Sequence, residues 1–327
     1  DDAPQGEQRG GAPGGRGPAS PERRAAYAER TRAGSPAAAP APAPSRTPDR
    51  PRLEHKPAAE RDARPQHPPA QHRSPQHRPG EPSPPAAPRG AVFLYGLHAV
   101  AAALGNPGRR LRRLLLTDEA EAALALRRPP PWPLAPERTE RAKLDQLLGR
   151  DVVHQGAALL ADSLASPSLA SVLERPGPIL VLDQVSDPRN VGAILRSAAA
   201  FGVAAVITQD RNAPDETGAL AKAASGALET VPLLRAVNVA RTLIALKAAG
   251  RWVVGLDADG AAPLSGPGLR ERRVALVLGA EGDGLRRLTR DTCDELARLS
   301  MPGAAGAMDS LNVSAAAAVA LYELSRG

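Results

Sequence analysis

The chain has one cysteine, Cys293, among 327 residues. That excludes an internal disulfide framework and fits a reducing compartment. No run of about 18 apolar residues occurs, so no membrane span is expected. The opening DDAPQGEQRGG has no apolar core of the kind a signal peptide carries. Together these absences point to the cytoplasm. Aromatics are scarce, two Trp, three Tyr and two Phe, which disfavours modules that stack RNA bases on aromatic platforms. No grouping of Cys, His and Asp has metal-ligand spacing, so no metal is expected.

What the chain does contain is unevenly spread. Residues 1–90 hold 20 of the 35 prolines and a single aromatic, Tyr27. They also carry 15 of the 42 basic and 10 of the 35 acidic residues. Such a segment buries too little apolar surface to offset its ordering entropy and reads as a disordered tail. His67, His72 and His77 recur every five residues there, a low-complexity repeat without a scaffold to hold a metal. The remaining part has 27 basic against 25 acidic residues, so any RNA footprint on it must be a local patch.

From Ala91 onward helical and strand patterns alternate. The stretch 91–165 reads as a small α/β domain, with AVFLY, LRRLLL and VVHQGAALLAD as strands. Arg109, Arg110, Arg112 and Arg113 serve equally well as a phosphate grip or as a solvated strand flank. His98 and His154 read as structural rather than as ligands or bases. Residues 166–177 form a linker with one helical turn. Residues 178–327 then repeat strand and helix, and their strands are Val/Leu/Ile runs without polar alternation. That is the signature of a parallel sheet covered on both faces.

Three junctions in this second part stand out. In DQVSDPRNVGAILRSAAAFG (183–202), Asp187 is a good N-cap and Pro188 suits the first helical position. Val191, Ile194, Leu195, Ala198 and Phe201 form one apolar face, and Gly202 suits the position after the helix. Arg196 lies on another side among Gly192, Ala193, Ala199 and Ala200, small neighbours that allow something large to approach. In LVLGAEGDGL (276–285), three glycines and Glu281 follow an apolar strand, as in a loop passing close to a ligand or to another backbone. A dinucleotide fingerprint would sit in the first βα turn instead. In MPGAAGAMDSLNVSAAAAVALYEL (301–324), Asp309 or Ser310 can cap the last helix, with Asn312 in its first turn. All three are strand-to-loop-to-helix junctions, and open α/β sheets bind ligands beyond the carboxyl ends of their strands.

NVGAILRSA, LVLGAEGDGL and DSLNVSAAAAVALYE resemble, in that order, the three signature motifs of the SpoU (TrmH) class of SPOUT RNA ribose 2′-O-methyltransferases. YGLHAV and VHQGAAL resemble the small substrate-binding domain that precedes the catalytic domain in many members, and within the family the chain looks most like the RlmB-like group, which methylates a guanosine ribose in 23S rRNA. The resemblance spans residues 92–327. It implies a parallel sheet with a C-terminal trefoil knot, and S-adenosylmethionine as methyl donor with no metal. Gly279, Glu281, Gly282, Leu299, Met301 and Leu311 carry over as donor-binding positions. Asn190, Arg196, Glu281, Ser310 and Asn312 carry over as the catalytic set. In the reading adopted here Arg196 holds a phosphate and the nucleophilic oxygen, Asn190 fixes its guanidinium, and Glu281 either bonds Arg196 or braces the knot. The partners implied are RNA, as 23S rRNA or a ribosome assembly intermediate, and a second copy of the chain against the alanine-rich last helix. A tRNA methyltransferase of the same class and a non-catalytic RNA-binding assembly factor are the alternatives.

Overall fold

Strand β1 (Ala91–Tyr95) begins a four-stranded sheet with β2 (Leu111–Leu116), β3 (Pro136–Arg138) and β4 (Ala157–Asp162) in the order β1-β4-β2-β3. β4 runs antiparallel to β1 and to β2, while β3 lies parallel to β2. Helices α1 (Leu97–Leu104), α2 (Asp118–Arg127) and α3 (Arg141–Leu148) connect the strands. The chain is seen here in a computed structural model that describes residues 87–211, 213–303 and 311–326. The Pro-rich segment up to residue 86, with His67, His72 and His77, lies outside the described residues, and so does Ser310.

Carboxylates claim the four arginines of this domain. Arg109 is buried, pairs with both Glu216 and Glu229, and donates to the Asp162 carbonyl at 2.9 Å. Arg112 pairs with Asp162, Arg113 with Glu137, and Arg110 makes only a loose 3.8 Å contact to Asp162. The phosphate-grip reading therefore fails for Arg109, whose guanidinium is fully enclosed and engaged. His154 is structural: it is buried, its Nδ1 accepts the Gly156 N–H at 3.1 Å, and its Nε2 lies 2.9 Å from Asp145 Oδ1. The proton must then sit on Nε2, which leaves no ring nitrogen for chemistry. His98 is exposed on α1.

A short helix, α4 (Leu169–Leu173), capped by Ser168 Oγ, interrupts the passage to the second sheet. That sheet has seven strands: β5 (Ile179–Asp183), β6 (Ala205–Gln209), β7 (Leu233–Ala236), β8 (Trp252–Leu256), β9 (Ala262–Pro263), β10 (Val274–Gly279) and β11 (Glu295–Arg298). Their order is β7-β6-β5-β10-β8-β11-β9, and every pairing is parallel. The helices are α5 (Pro188–Ala200), α6 (Gly218–Ala224), α7 (Val239–Ala248), α8 (Gly266–Leu269), α9 (Arg287–Thr292) and α10 (Val313–Ser325). Both faces are covered, as the unbroken apolar strands require. Leu180, Leu182, Leu276 and Leu278 point toward α5 and α10, while Ile179, Val181, Ala275 and Val277 point toward α7.

The first sheet shares the α5 core: Leu94, Leu114 and Leu159 belong to one cluster with Val191, Ile194 and Leu220. Contact is close where α6 starts, since a Cβ at Gly218 would strike the Tyr95 ring and the Phe93 carbonyl. Lys222 on α6 also reaches the Val153 carbonyl. Each large side chain buried here contributes about 1.5–3 kcal/mol. The smaller sheet is thus packed onto the larger one by apolar contact and by the Arg109 ion pairs together.

Candidate active site

Helix α5 starts where its residues dictate. Asp187 Oδ1 accepts the Arg189 N–H at 2.8 Å, and Pro188 occupies the first turn. At its far end Gly202 takes φ +64°, and the Val203 N–H bonds back to the Ala198 carbonyl at 2.9 Å. Helix α10 departs from expectation. Its cap is Asn312, whose Oδ1 accepts from the Ser314 N–H at 2.9 Å and from Ser314 Oγ at 2.5 Å. An extended backbone at Asn312 (φ −50°, ψ 138°) turns its carboxamide toward the helix amides, a role that sequence assigned to Asp309 or Ser310.

Three of the expected catalytic residues meet at the starts of these helices. Glu281 Oε1 accepts Asn312 Nδ2 at 2.5 Å, Asn190 Nδ2 at 3.3 Å and the Val313 N–H at 3.2 Å. Asn312 Nδ2 also donates to Asn190 Oδ1 at 3.1 Å. A carboxylate at the N-terminus of α10 gains from the helix dipole as well as from these bonds. Glu281 therefore braces the junction of three loops, and it makes no bond to Arg196. Asn190 likewise spends its carboxamide on Glu281 and Asn312 rather than on the guanidinium. Six residues along a helix turn the side chain through about 240°, so Asn190 and Arg196 cannot share a face.

Arg196 is exposed and makes no hydrogen bond or ion pair among the described residues. Arg189, two turns earlier, shares that exposed face with Ala193 between them. Sequence reading overlooked Arg189, although the i,i+7 spacing and the small intervening residue were visible. It also misjudged Gly192. That glycine is buried, and a Cβ there would collide with the Leu220 carbonyl and Ala223, so its smallness serves the contact of α5 with α6.

Beside the Glu281 junction lies a cleft of about 740 Å³. It is lined by all six expected donor-binding residues: Gly279, Glu281, Gly282, Leu299, Met301 and Leu311. The glycines make the loop possible. Gly279 packs against the Gly284 backbone, Gly282 and Gly284 take φ +88° and +64°, and the Gly284 N–H closes onto the Ala280 carbonyl at 3.1 Å. Much of the cleft wall is thereby backbone and aliphatic carbon, suited to an apolar ring system with hydrogen-bonding edges, while Asp259, Asp283 and Arg298 add charge along it. Asp257, at the end of β8, also lines it, paired with Arg290 at 3.3 Å. This carboxylate was missed in the sequence, where it follows an apolar strand at the same edge of the sheet.

Asp183 anchors the far side of the loop. It is buried at the end of β5 and accepts from the Arg286 N–H at 3.1 Å and from Arg286 Nε at 2.7 Å. The two ends of the 279–286 segment are therefore fixed, one by Glu281 and the other by Arg286. No group of His, Cys, Asp and Glu among the described residues has metal-binding geometry.

The model of the SpoU rRNA Methylase family matches residues 177–322, and the model for RNA 2′-O ribose methyltransferase substrate binding matches residues 93–167. Over 248 residues the chain is 40% identical to the 23S rRNA (guanosine-2′-O-)-methyltransferase RlmB of Vibrio vulnificus, covering 72% of this chain and 96% of that protein. Identity to the enzyme of the same name from Bordetella pertussis is 38% over 244 residues, covering 70% and 95%. Among solved structures, the SpoU methyltransferase AviRb of Streptomyces viridochromogenes, in complex with AdoMet, superposes with a TM-score of 0.59. That match has 24% identity and covers 72% of this chain and 90% of AviRb.

Proposed function

The chain belongs to the SpoU rRNA Methylase family, and we propose that it transfers a methyl group from S-adenosylmethionine to the ribose 2′-hydroxyl of a guanosine in 23S rRNA. The carrying observation is the Glu281 junction, which joins residues of all three motifs at the mouth of one cleft. Residues 91–165 act as the RNA-binding domain, 166–177 as the linker and 178–327 as the catalytic domain. The interleaved order β5-β10-β8, with α10 returning against α5, is compatible with the trefoil knot of the class.

The donor carries its transferable methyl on a positively charged sulfur. The cleft suits it: backbone of the 279–284 loop for hydrogen-bonding edges, and Leu299, Met301 and Leu311 for an apolar ring. Glu281, Asn190 and Asn312 hold the donor loop against α5 and α10. Ser310, which the motif resemblance adds to that set, lies outside the described residues. Arg196 binds the phosphate next to the target sugar and donates to the 2′-oxygen, stabilising the negative charge that develops as its proton leaves to water. A guanidinium has donors and no acceptor, so it acts here by charge rather than as a base. Holding the oxygen in line with the methyl supplies much of the remaining rate enhancement.

The enzyme works as a homodimer in the cytoplasm. Val319 and Tyr322, one turn apart on α10, are 46% and 57% exposed, an apolar pair that a second copy would cover. Among the described residues no helix is long and apolar enough to cross a membrane. Incubation of the full chain with donor and 23S rRNA, followed by nucleoside mass mapping, tests the reading. A new 2′-O-methylguanosine in the rRNA is expected; methylation of tRNA alone, or of neither, contradicts it.

A further inference from the structure

A second cavity, of about 290 Å³, opens at the carboxyl ends of β5 and β6 between α7 and α9. It lies on the face of the sheet opposite α5 and α10, since Ile207 and Val181 point toward α7 and alternation carries Gln209 the same way. Gln209, only 7% exposed, lines it, and its carboxamide makes no hydrogen bond among the described residues. Its polar atoms are not among the fully buried unpaired ones, so the carboxamide faces the open space of the cavity and is free to bond something that enters. Gln184 lines the same cavity with φ +64°, a left-handed conformation that glycine adopts freely and glutamine does not. Its side chain is also without a hydrogen bond among the described residues. Around the mouth stand the exposed Arg211, Arg286 with its guanidinium held by Asp183, and two apolar side chains, Val237 and Leu288, that are 86% and 63% exposed.

Two amides to read an edge, two aliphatic side chains to cover a face and the cation of Arg211 at the rim match one chemical class. Resting on the functional reading above, we propose that this cavity takes an unpaired base flanking the methylated nucleotide. A carboxamide can donate and accept along one base edge, and reading an RNA base this way requires it to be splayed out of a helix. The cavity cannot hold the methylated nucleotide itself. Glu281, Asn190 and Asn312 lie at the α5 and α10 side, and the 279–286 loop separates them from the cavity, contributing Glu281 to one and Arg286 to the other. The RNA strand therefore crosses the carboxyl edge of the sheet, with the reacting sugar on one face and its neighbour's base on the other.

Gln184→Gly removes one amide while relieving the left-handed strain, and Gln209→Leu removes the other at similar volume. In the full chain each variant should raise the KM for an rRNA fragment about tenfold. The kcat should stay within about twofold and donor affinity by calorimetry should be unchanged, because neither residue touches the donor cleft. An rRNA fragment with an abasic site beside the methylated nucleotide should lower wild-type affinity by the same factor and leave the variants no further loss. Wild-type KM in both variants overturns the proposal, as does an abasic fragment bound as tightly as the intact one. If wild-type protein methylates no rRNA, the functional reading falls instead. The cavity is then judged by anisotropy of the labelled fragment, where weaker binding by Gln184→Gly upholds it and unchanged binding overturns it.

Discussion

Glu281 Oε1 accepts a hydrogen bond from Asn312 Nδ2 at 2.5 Å, and the same oxygen takes Asn190 Nδ2 at 3.3 Å. One carboxylate oxygen thus ties the glycine-rich loop to the first turns of α5 and α10. Hydrogen bonds to a charged group are worth about 1.5–3 kcal/mol. Glu281→Ala should therefore reduce methyl transfer about ten- to hundredfold, with donor affinity falling as the loop loosens. Glu281→Gln keeps an oxygen for the Val313 and Asn312 donors and should retain more activity. Single-turnover kinetics with parallel calorimetry check both, and wild-type activity in Glu281→Ala would mean that the carboxylate's charge and bonds are irrelevant.

Arg196 stands apart from that junction, exposed and unengaged among the described residues. In the proposed mechanism it acts on the acceptor. Arg196→Ala should lower kcat by about a hundredfold or more, the scale of losing one oriented donor at a developing oxyanion, with donor Kd almost unchanged. Equal losses in both quantities would assign it to the donor instead.

Arg109 bridges Glu216 and Glu229 with its side chain fully enclosed. Burial alone would lower its pKa, but hydrogen bonds and charge from Glu229 and Glu216 hold it above the ordinary arginine value. Removing one member of a buried pair leaves uncompensated charge, so Arg109→Ala should destabilise the protein by about 3–5 kcal/mol. Chemical denaturation measures this, and a change under about 1 kcal/mol would show that the clasp behaves like a surface pair.

Burial also pushes the Cys293 thiol up to about 12. The thiolate is the reactive form, so native protein should resist alkylation at pH 8 and react quickly once unfolded. Because the folded state keeps its proton where the unfolded thiol loses it, stability should fall as pH rises from about 8.5 toward 12. Cys293→Ala should flatten that alkaline decline in denaturation midpoints; an unchanged decline assigns it to other groups.

Much of this was legible in the chain itself. Asp187, Pro188 and Gly202 mark α5 by local chemistry, and the unbroken apolar strands announced a doubly covered parallel sheet. The six cleft residues were placed by motif resemblance, and all six line one cavity. What escaped depends on long-range geometry. The two residues of β9 and the four of α8 carry no periodic signal. Gly192 looked like room for a ligand, yet its smallness admits the Leu220 backbone of the next helix, as that of Gly218 admits the Phe93 carbonyl of the first sheet. Arg109 read like its three neighbours because only the fold supplies Glu216 and Glu229, more than a hundred residues away.

A crystal structure of the protein with its methyl donor and an rRNA fragment tests the central claim most directly. The donor should fill the cleft between Gly279 and Leu311, its methyl facing the target 2′-oxygen beside the Glu281 junction, with Arg196 of one subunit on the adjoining phosphate. A donor bound elsewhere, or Arg196 remote from the transferable methyl in both subunits, would contradict it.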